Sequence, residues 1–517
     1  MTPIRHRLTD AAGYTSSYSY DSLNRLTGLT NTNSGSFGFG YDALGRRTSL
    51  TRPNGVNTSY SYDTLSRLLG VLHNGGALPG SASYTYDAAG NRLTKTAVQE
   101  ASPNPVSVLS QYSYDNIYEL TQALVNGSVA EDYTYDAVGN RLTSAGPTSY
   151  NYNPSNELTS TSAATYAYDN NGNTILKTTT AGTTSYTWDF ENRLASVTLP
   201  GTGGTVNFKY DPFGRRIEKI APTSGTTVYA YDGDNITEEL GGGGNQLAYF
   251  TQGPSIDEPL ALTGTGGTHF YHPDGVGSIT SLTDGSGQLA VSYVYDSFGN
   301  LTSSTGTLTN PFQYTAREFD SETGLYYYRA RFYDSGTGRF LSVDPVFHLN
   351  AYHYVGNKPT TYVDPSGADI AVVGDVSSYA QAIQYLLRDP VIAPIIHSLQ
   401  TSEDIITLMT TDSTDPNVLG YTKQNKTILW NPHGALRCIG ENARGSLSPA
   451  VALAHELVHA YMDTWYNFTN AETNDDYHFA QDKYIIENFE HHLIDLGEGI
   501  RYNHRGVIYY VPSPTGR

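Results

Sequence analysis

Residues Tyr84 to Thr94 read YTYDAAGNRLT. Tyr-x-Tyr alternates as a strand with one buried face does. Asp87 can cap a turn through its own carboxylate, and Gly90 and Asn91 tolerate the positive φ of tight loops. Arg-Leu-Thr then resumes an extended segment. The phrase is one β-hairpin, and it recurs. Copies start at Tyr18 (YSYDSLNRLT), Phe39 (FGYDALGRRT), Tyr60 (YSYDTLSRLL), Tyr112 (YSYDNIYELT), Tyr133 (YTYDAVGNRLT) and Tyr166 (YAYDNNGNT), with looser versions at Tyr186, Tyr210, Tyr229 and Tyr293. The period is roughly 21 residues, in the range of stacked supersecondary units. One hairpin alone is marginal, so neighbours must pair edge to edge into a continuous sheet. Such a sheet has to curl or close, because long free edges aggregate.

Composition agrees. With 517 residues the chain needs at least two units, and Gly (51) and Tyr (43) are abundant while only 15% of residues are charged. That profile suits strands and tight turns and does not suit disorder. A net charge of -20 argues against nucleic acid or an anionic membrane as partner. Cys438 is the single cysteine, which excludes an internal disulfide. No apolar run approaches the roughly 18–20 residues of a membrane span. The opening MTPIRHRLTD has no apolar signal core, so a secreted or delivered protein would need a non-classical export route.

These repeats resemble the YD-repeat (RHS/teneurin-like) family, over about residues 14 to 367. The resemblance implies an all-β hollow shell over residues 1–313. YTAREFDSETGLYYYRARFYDSGTGRFLSVDP (Tyr314–Pro345) and LNAYHYVGNKPTTYVDPSG (Leu349–Gly367) resemble the RHS-associated core, expected over residues 314–368. That likeness implies that the core seals the shell and cuts the chain after the second Asp-Pro-x-Gly, near Ala368 and Asp369. Asp344 and Asp364 would then be the working carboxylates of an intramolecular aspartyl-type autoprotease, with Arg339 nearby. Two carboxylates held close share a proton, so one can activate water while the other protonates the leaving group. The chain departs from the family where Asp344-Pro345 is followed by Val346-Phe347, and where Ala368 stands in a position that is often Leu.

Beyond Gly367 the repeats stop and helical patterns begin, which suggests a small α+β domain over residues 369–517. Ser377–Asp389 has helical spacing, and Lys426–Asn431 reads as a strand. SPAVALAHELVHAYMD (Ser448–Asp463) reads as a helix with Ser448 as N-cap and Pro449 in its first turn. His455 and His459 lie one turn apart with Glu456 beside them, the spacing of a zinc site whose glutamate acts as general base. The third ligand is expected from ENFEHHLIDLGEGIRYNH (Glu487–His504), where Glu487, Glu490, His491 and Asp495 compete, with Asp463 a further candidate. Residues 420–505 resemble the NleD-like effector metallopeptidases, and this likeness favours Glu487. The expectation is a zincin-like, gluzincin-type zinc metalloendopeptidase carried in the β-shell. Its partners would be the shell itself, a protein substrate in a target cell, an immunity protein, and an N-terminal plug or delivery partner. The alternatives are an adhesive or structural repeat protein with an inert tail, and a tail with another toxic activity, such as a nuclease.

Overall fold

The computed structural model describes residues 5–9, 13–75, 81–99, 106–345 and 350–367, and in the tail 372–373, 386, 392, 407–410, 420–422, 427–430, 434–438, 446–466 and 506–510. The chain divides into two compact units. One is Arg5–Asp344 with Leu349–Ala368; the other is Asp369–Arg517 with Met1–Ile4 and Pro345–His348.

The repeat phrase sets the first unit. In the hairpin of Tyr84–Thr94 the Asp87 amide donates to the Asn91 carbonyl at 3.0 Å, and the Gly90 amide donates to the Asp87 carbonyl at 3.3 Å. Asp87 Oδ1 accepts the Asn91 amide at 2.8 Å, and its Oδ2 accepts Asn91 Nδ2 at 2.8 Å. Gly90 sits at φ 92°, and the strand register slips between Thr85 and Tyr86. This is a turn followed by a left-handed residue and a bulge, a standard way to close a hairpin. Where the fifth residue is arginine, the repeat also grips its successor. Arg46 Nε bonds Asp42 Oδ2 at 2.7 Å, its Nη1 donates to the Asp63 carbonyl at 3.1 Å, and its guanidinium lies 4.8 Å from the Tyr62 ring centre. The second tyrosine answers. Tyr41, Tyr62 and Tyr86 donate their hydroxyls to the carbonyls of Leu26, Arg47 and Leu68 in the preceding hairpin, at 2.8, 2.9 and 2.7 Å. The first tyrosine of the phrase is buried at Tyr84, Tyr133 and Tyr229 and half-buried at Tyr18, Tyr60 and Tyr112.

Hairpins linked this way form a meander. A 12-stranded sheet runs in chain order from Arg7–Thr9 to Ser128–Asp132, a two-stranded pair follows, and a 16-stranded sheet runs from Tyr150–Tyr152 to Leu301–Gly306. Side chains of the two large sheets meet in a shared core. Leu26, Leu29, Phe37, Phe39 and Leu50 of the first meet Leu260, Ala261 and Phe270 of the second. Polar contacts line the same seam: Asn31 Nδ2 to Tyr249 Oη at 3.0 Å, Ser34 to Thr251 at 2.7 Å, and the Ser297 amide to Glu131 Oε1 at 3.0 Å.

Residues 311–367 form the core segment. Its small antiparallel sheet (Glu318–Asp320, Leu325–Tyr328, Arg331–Asp334, Arg339–Phe340) is almost wholly buried. Tyr314, Tyr326, Tyr328, Tyr333, Phe340 and Tyr354 make one aromatic cluster. The core lies across the tips of repeat turns. Tyr327, Tyr333, Tyr326 and Tyr352 donate hydroxyls to the carbonyls of Gly214, Phe298, Gly299 and Gly172, and Asn357 Nδ2 donates to the Gly139 carbonyl. Arg216 is buried in a charge cluster, with Nη2 on Glu318 at 2.6 Å and Nη1 on Asp320 at 2.5 Å.

In the second unit, Val372–Val373, Thr407–Thr410 and Thr427–Trp430 are parallel neighbours, with Gly420–Thr422 antiparallel at the edge. Gly434–Cys438 pairs with Ser446–Leu447 and Gly506–Tyr510. Helix α1 spans Pro449–Tyr466, starts where Ser448 and Pro449 place it, and buries Ala450, Val451, Leu453, Ala454 and Val458. Of the helix expected at 377–389, Leu386 alone is among the described residues, and it is helical and buried. Among the described residues no helix is long and apolar enough to cross a membrane.

Candidate functional site

The site begins at a two-residue hairpin. Tyr328 pairs with Arg331, so Arg329 and Ala330 make the turn, and Arg329 takes φ 62°. Positive φ at the first central position normally calls for glycine, so an arginine there is held against strain. What holds it is the strap that ends at Gly367. Arg329 Nη1 donates to the Pro365 carbonyl and Nη2 to Asp257 Oδ1 at 2.7 Å, while the Ala330 amide donates to the Ser366 carbonyl at 3.1 Å.

Arg331 completes the pattern. Its side chain is fully buried, and its guanidinium lies 3.6 Å from the Phe340 ring centre. Nη2 is 2.6 Å from Asp344 Oδ2 and 3.5 Å from Asp364 Oδ2, so the two carboxylates meet at one nitrogen. Nη1 donates to the Ala351 carbonyl at 3.0 Å, and Nε donates to the Gly367 carbonyl. Asp364 Oδ1 accepts the Gly367 amide at 2.8 Å and the Ser366 amide at 3.2 Å. Gly367 has φ 70°, and a Cβ there would collide with the Tyr328 carbonyl oxygen. Two carboxylates, one cation and one peptide carbonyl are therefore gathered in a water-poor pocket, where charge and hydrogen bonds act strongly.

Arg339 does not take part. Its Nη2 donates to the Asn156 carbonyl at 2.6 Å, its Nη1 to Asn140 Oδ1 at 3.3 Å, and it stacks on Tyr152 and Tyr352. The arginine at the carboxylates is Arg331, which sequence reasoning missed. The signal was present: a charged residue inside the aromatic run YYYRARF needs a buried partner of opposite sign. Ala368, Asp369 and Phe347 lie outside the described residues.

In the tail, the α1 spacing turns His455 and His459 toward each other. His455 is buried, and the two Nε2 atoms are 3.1 Å apart. Two nitrogens on one tetrahedral zinc at about 2.0–2.1 Å would be roughly 3.3 Å apart, so the ring spacing suits a shared cation. Glu456 is half-buried on the same helix. Glu487, Glu490, His491 and Asp495 lie outside the described residues, and no cluster of three metal-ligating groups occurs among the described ones.

Comparison with known proteins fits the repeat unit. A family model described as Teneurin YD-shell matches residues 104–360, and one described as RHS Repeat matches residues 5–36 and 41–78. The tRNA3(Ser)-specific nuclease WapA of Bacillus spizizenii is 34% identical over 297 residues, 55% of this chain and 11% of that protein. Double-stranded DNA deaminase toxin A of Burkholderia cenocepacia is 28% identical over 328 residues, 56% of this chain and 21% of its own length. The crystal structure of TcdB2-TccC3-Cdc42 superposes with a TM-score of 0.60 over 70% of this chain and 21% of that one, at 23% identity, a likeness of fold. The chain thus spans a small part of the proteins it resembles.

These relatives correct the expected activity. The metalloendopeptidase reading rested on His455, Glu456 and His459, yet the relatives are named as a tRNA nuclease and a DNA deaminase toxin. A pair of histidines one helical turn apart provides metal donors but does not specify which bond is broken. The stitched Tyr-Asp hairpins, the core laid over their turn tips and the matched models agree: the repeat unit of this chain belongs to the RHS/YD-repeat shell family, and relatives that share it are named as a tRNA nuclease and a DNA deaminase toxin.

Proposed function

We propose that the chain is the carrier part of a polymorphic toxin, and that its core cuts the backbone between Gly367 and Ala368 to separate residues 368–517 as cargo. The observation that carries this reading is Arg331, which bonds the Gly367 carbonyl while facing Asp344 and Asp364. The reaction follows from that placement. Arg331 Nε–H polarises the carbonyl and receives charge as it becomes an oxyanion. One carboxylate takes a proton from water as it adds to the Gly367 carbon. The other, protonated, gives its proton to the Ala368 nitrogen as the bond breaks. Purified protein should then contain two polypeptides that stay in one particle, and Asp364→Asn should give a single uncut chain. A wild-type chain that stays whole under native conditions would count against the reading.

The cargo remains enclosed by the shell until delivery, so that cutting alone does not release it. Support comes from chain order, repeats then core then tail, and from relatives named as toxins. Within the cargo, His455 and His459 serve as imidazole donors to one zinc ion. Metal analysis of the full chain should find zinc, and His459→Ala should lose it.

A further inference from the structure

Away from the core, the seam between the two large sheets holds a cation with no carboxylate. Arg52 is buried, its Nη1 donates to Thr58 Oγ1 at 2.7 Å and to the Val56 carbonyl at 3.4 Å, and its Nε and Nη2 have no partner among the described residues. The field of Glu258 reaches Arg52, but that carboxylate is engaged by Arg47. His73 and His272 are both buried nearby, edge to face with ring centres 5.0 Å apart. Ser281 stands directly across from His272 in the strand register, buried, and its Oγ has no partner.

The proton positions follow from the bonds. Thr58 Oγ1 accepts from Arg52, so its own proton goes to His73 Nδ1 at 2.8 Å. His73 Nε2 then carries hydrogen and donates to the Pro273 carbonyl at 3.3 Å. Thr283 Oγ1 accepts from Asn54 Nδ2 at 2.8 Å and shares a second hydrogen bond with His272 Nε2, also at 2.8 Å. A hydroxyl accepts twice, so both tautomers of His272 fit, and its Nδ1 has no partner among the described residues. Burial first, with the Arg52 charge second, holds both imidazoles below their ordinary range, His73 at about 3, so both are neutral near pH 7. The chain of contacts Arg52–Thr58–His73–His272–Thr283–Asn54 returns to within two residues of its start. The unsatisfied groups on it are Arg52 Nε–H and Nη2–H and His272 Nδ1, with the Ser281 hydroxyl across the strand pair from His272. His272 in its Nδ1–H tautomer and Ser281 can donate, and Arg52 can only donate. A water molecule needs acceptors for its own hydrogens, which Arg52 does not supply. An anion needs donors and a positive charge.

We propose that Arg52, His272 and Ser281 bind a small monoatomic anion, chloride or bromide, that fastens the first sheet to the second. Ser281 also borders a cavity of about 800 Å³. The probe is halide itself, on the full chain. Crystals grown in bromide should show an anomalous peak within hydrogen-bond distance of Arg52 and His272. Melting temperature should rise by several degrees when gluconate is replaced by chloride at matched ionic strength. Ser281→Ala should shift that response several-fold toward higher chloride, and Arg52→Met should lose it. A water-like density with no anomalous signal, a melting temperature indifferent to chloride, or an unchanged response in Ser281→Ala would each overturn the assignment. The bromide experiment needs only the wild-type chain, so a misfolded Arg52→Met leaves the proposal open to refutation.

Discussion

At the scale of single residues, the account turns on Arg331. Its planar fork reaches the Gly367 carbonyl, the Ala351 carbonyl and two carboxylates at once. Lysine offers one point charge and cannot meet that geometry. Arg331→Lys is therefore expected to slow cutting by on the order of 100-fold while keeping the buried charge, measured by intact mass over time after refolding. Arg339→Lys should leave the cutting rate within a few-fold of wild type, since that side chain bonds Asn140 and Asn156 instead. Equal loss in both variants would mean that the core responds to general damage. The two aspartates were legible in the sequence because each precedes proline in a phrase that recurs. Their arginine was not, because Arg331 and Arg339 stand in the same phrase and only the Arg329–Ala330 turn decides which one faces the strap.

At the scale of elements, the hairpin is the unit that the sequence states most fully. Its turn, its bulge and its buried tyrosine all follow from YxYDxxGN. Less visible was the use of the second tyrosine as a tie to the hairpin before it, since period-two alternation says only which face it shares. Tyr62→Phe should cost about 1 kcal/mol in urea unfolding, the net value of one hydrogen bond, because ring packing survives and only the bond to the Arg47 carbonyl is lost. An effect near zero would show that the stitch does not hold. The hairpin at Asp296 adds a dependence on pH. Burial first and the Glu131 charge second push Asp296 up to about 7. A carboxyl raised on folding favours the protonated native state. Its contribution is complete below the unfolded carboxyl value of about 4 and is lost as pH rises through about 7. The protein should melt at a lower temperature near pH 8 than near pH 6, and Glu131→Gln should flatten that difference. A melting profile that rises toward pH 8 would contradict the assignment.

At the scale of the molecule, repeats alone foretold one wound sheet, whereas the structure has two large sheets packed on each other. Hairpin phrases specify neighbours along the chain. They say nothing of which hairpins meet after one winding, because that contact uses side chains such as Asn31 and Tyr249, or Glu131 and Ser297, outside the repeat phrase. The sequence distance across the seam is 227 residues at Arg5–Asp232, 230 at Asn54–Asp284 and 166 at Glu131–Ser297. The core then covers turn tips from Gly139, Gly172, Gly214 and Gly299. Whole-chain charge and the His-Glu-x-x-His phrase were weaker guides to activity, since a net charge does not say how charges are arranged on a surface and two metal donors do not name a reaction. The central claim is that this wound carrier cuts its own chain at the carbonyl held by Arg331. Intact mass spectrometry of the purified full chain, alongside size-exclusion chromatography, tests it most directly. The account predicts two masses that divide between Gly367 and Ala368 and elute together, with a single full-length mass for Asp364→Asn. A single full-length mass for the wild type, or a division elsewhere that survives Asp364→Asn, would contradict it.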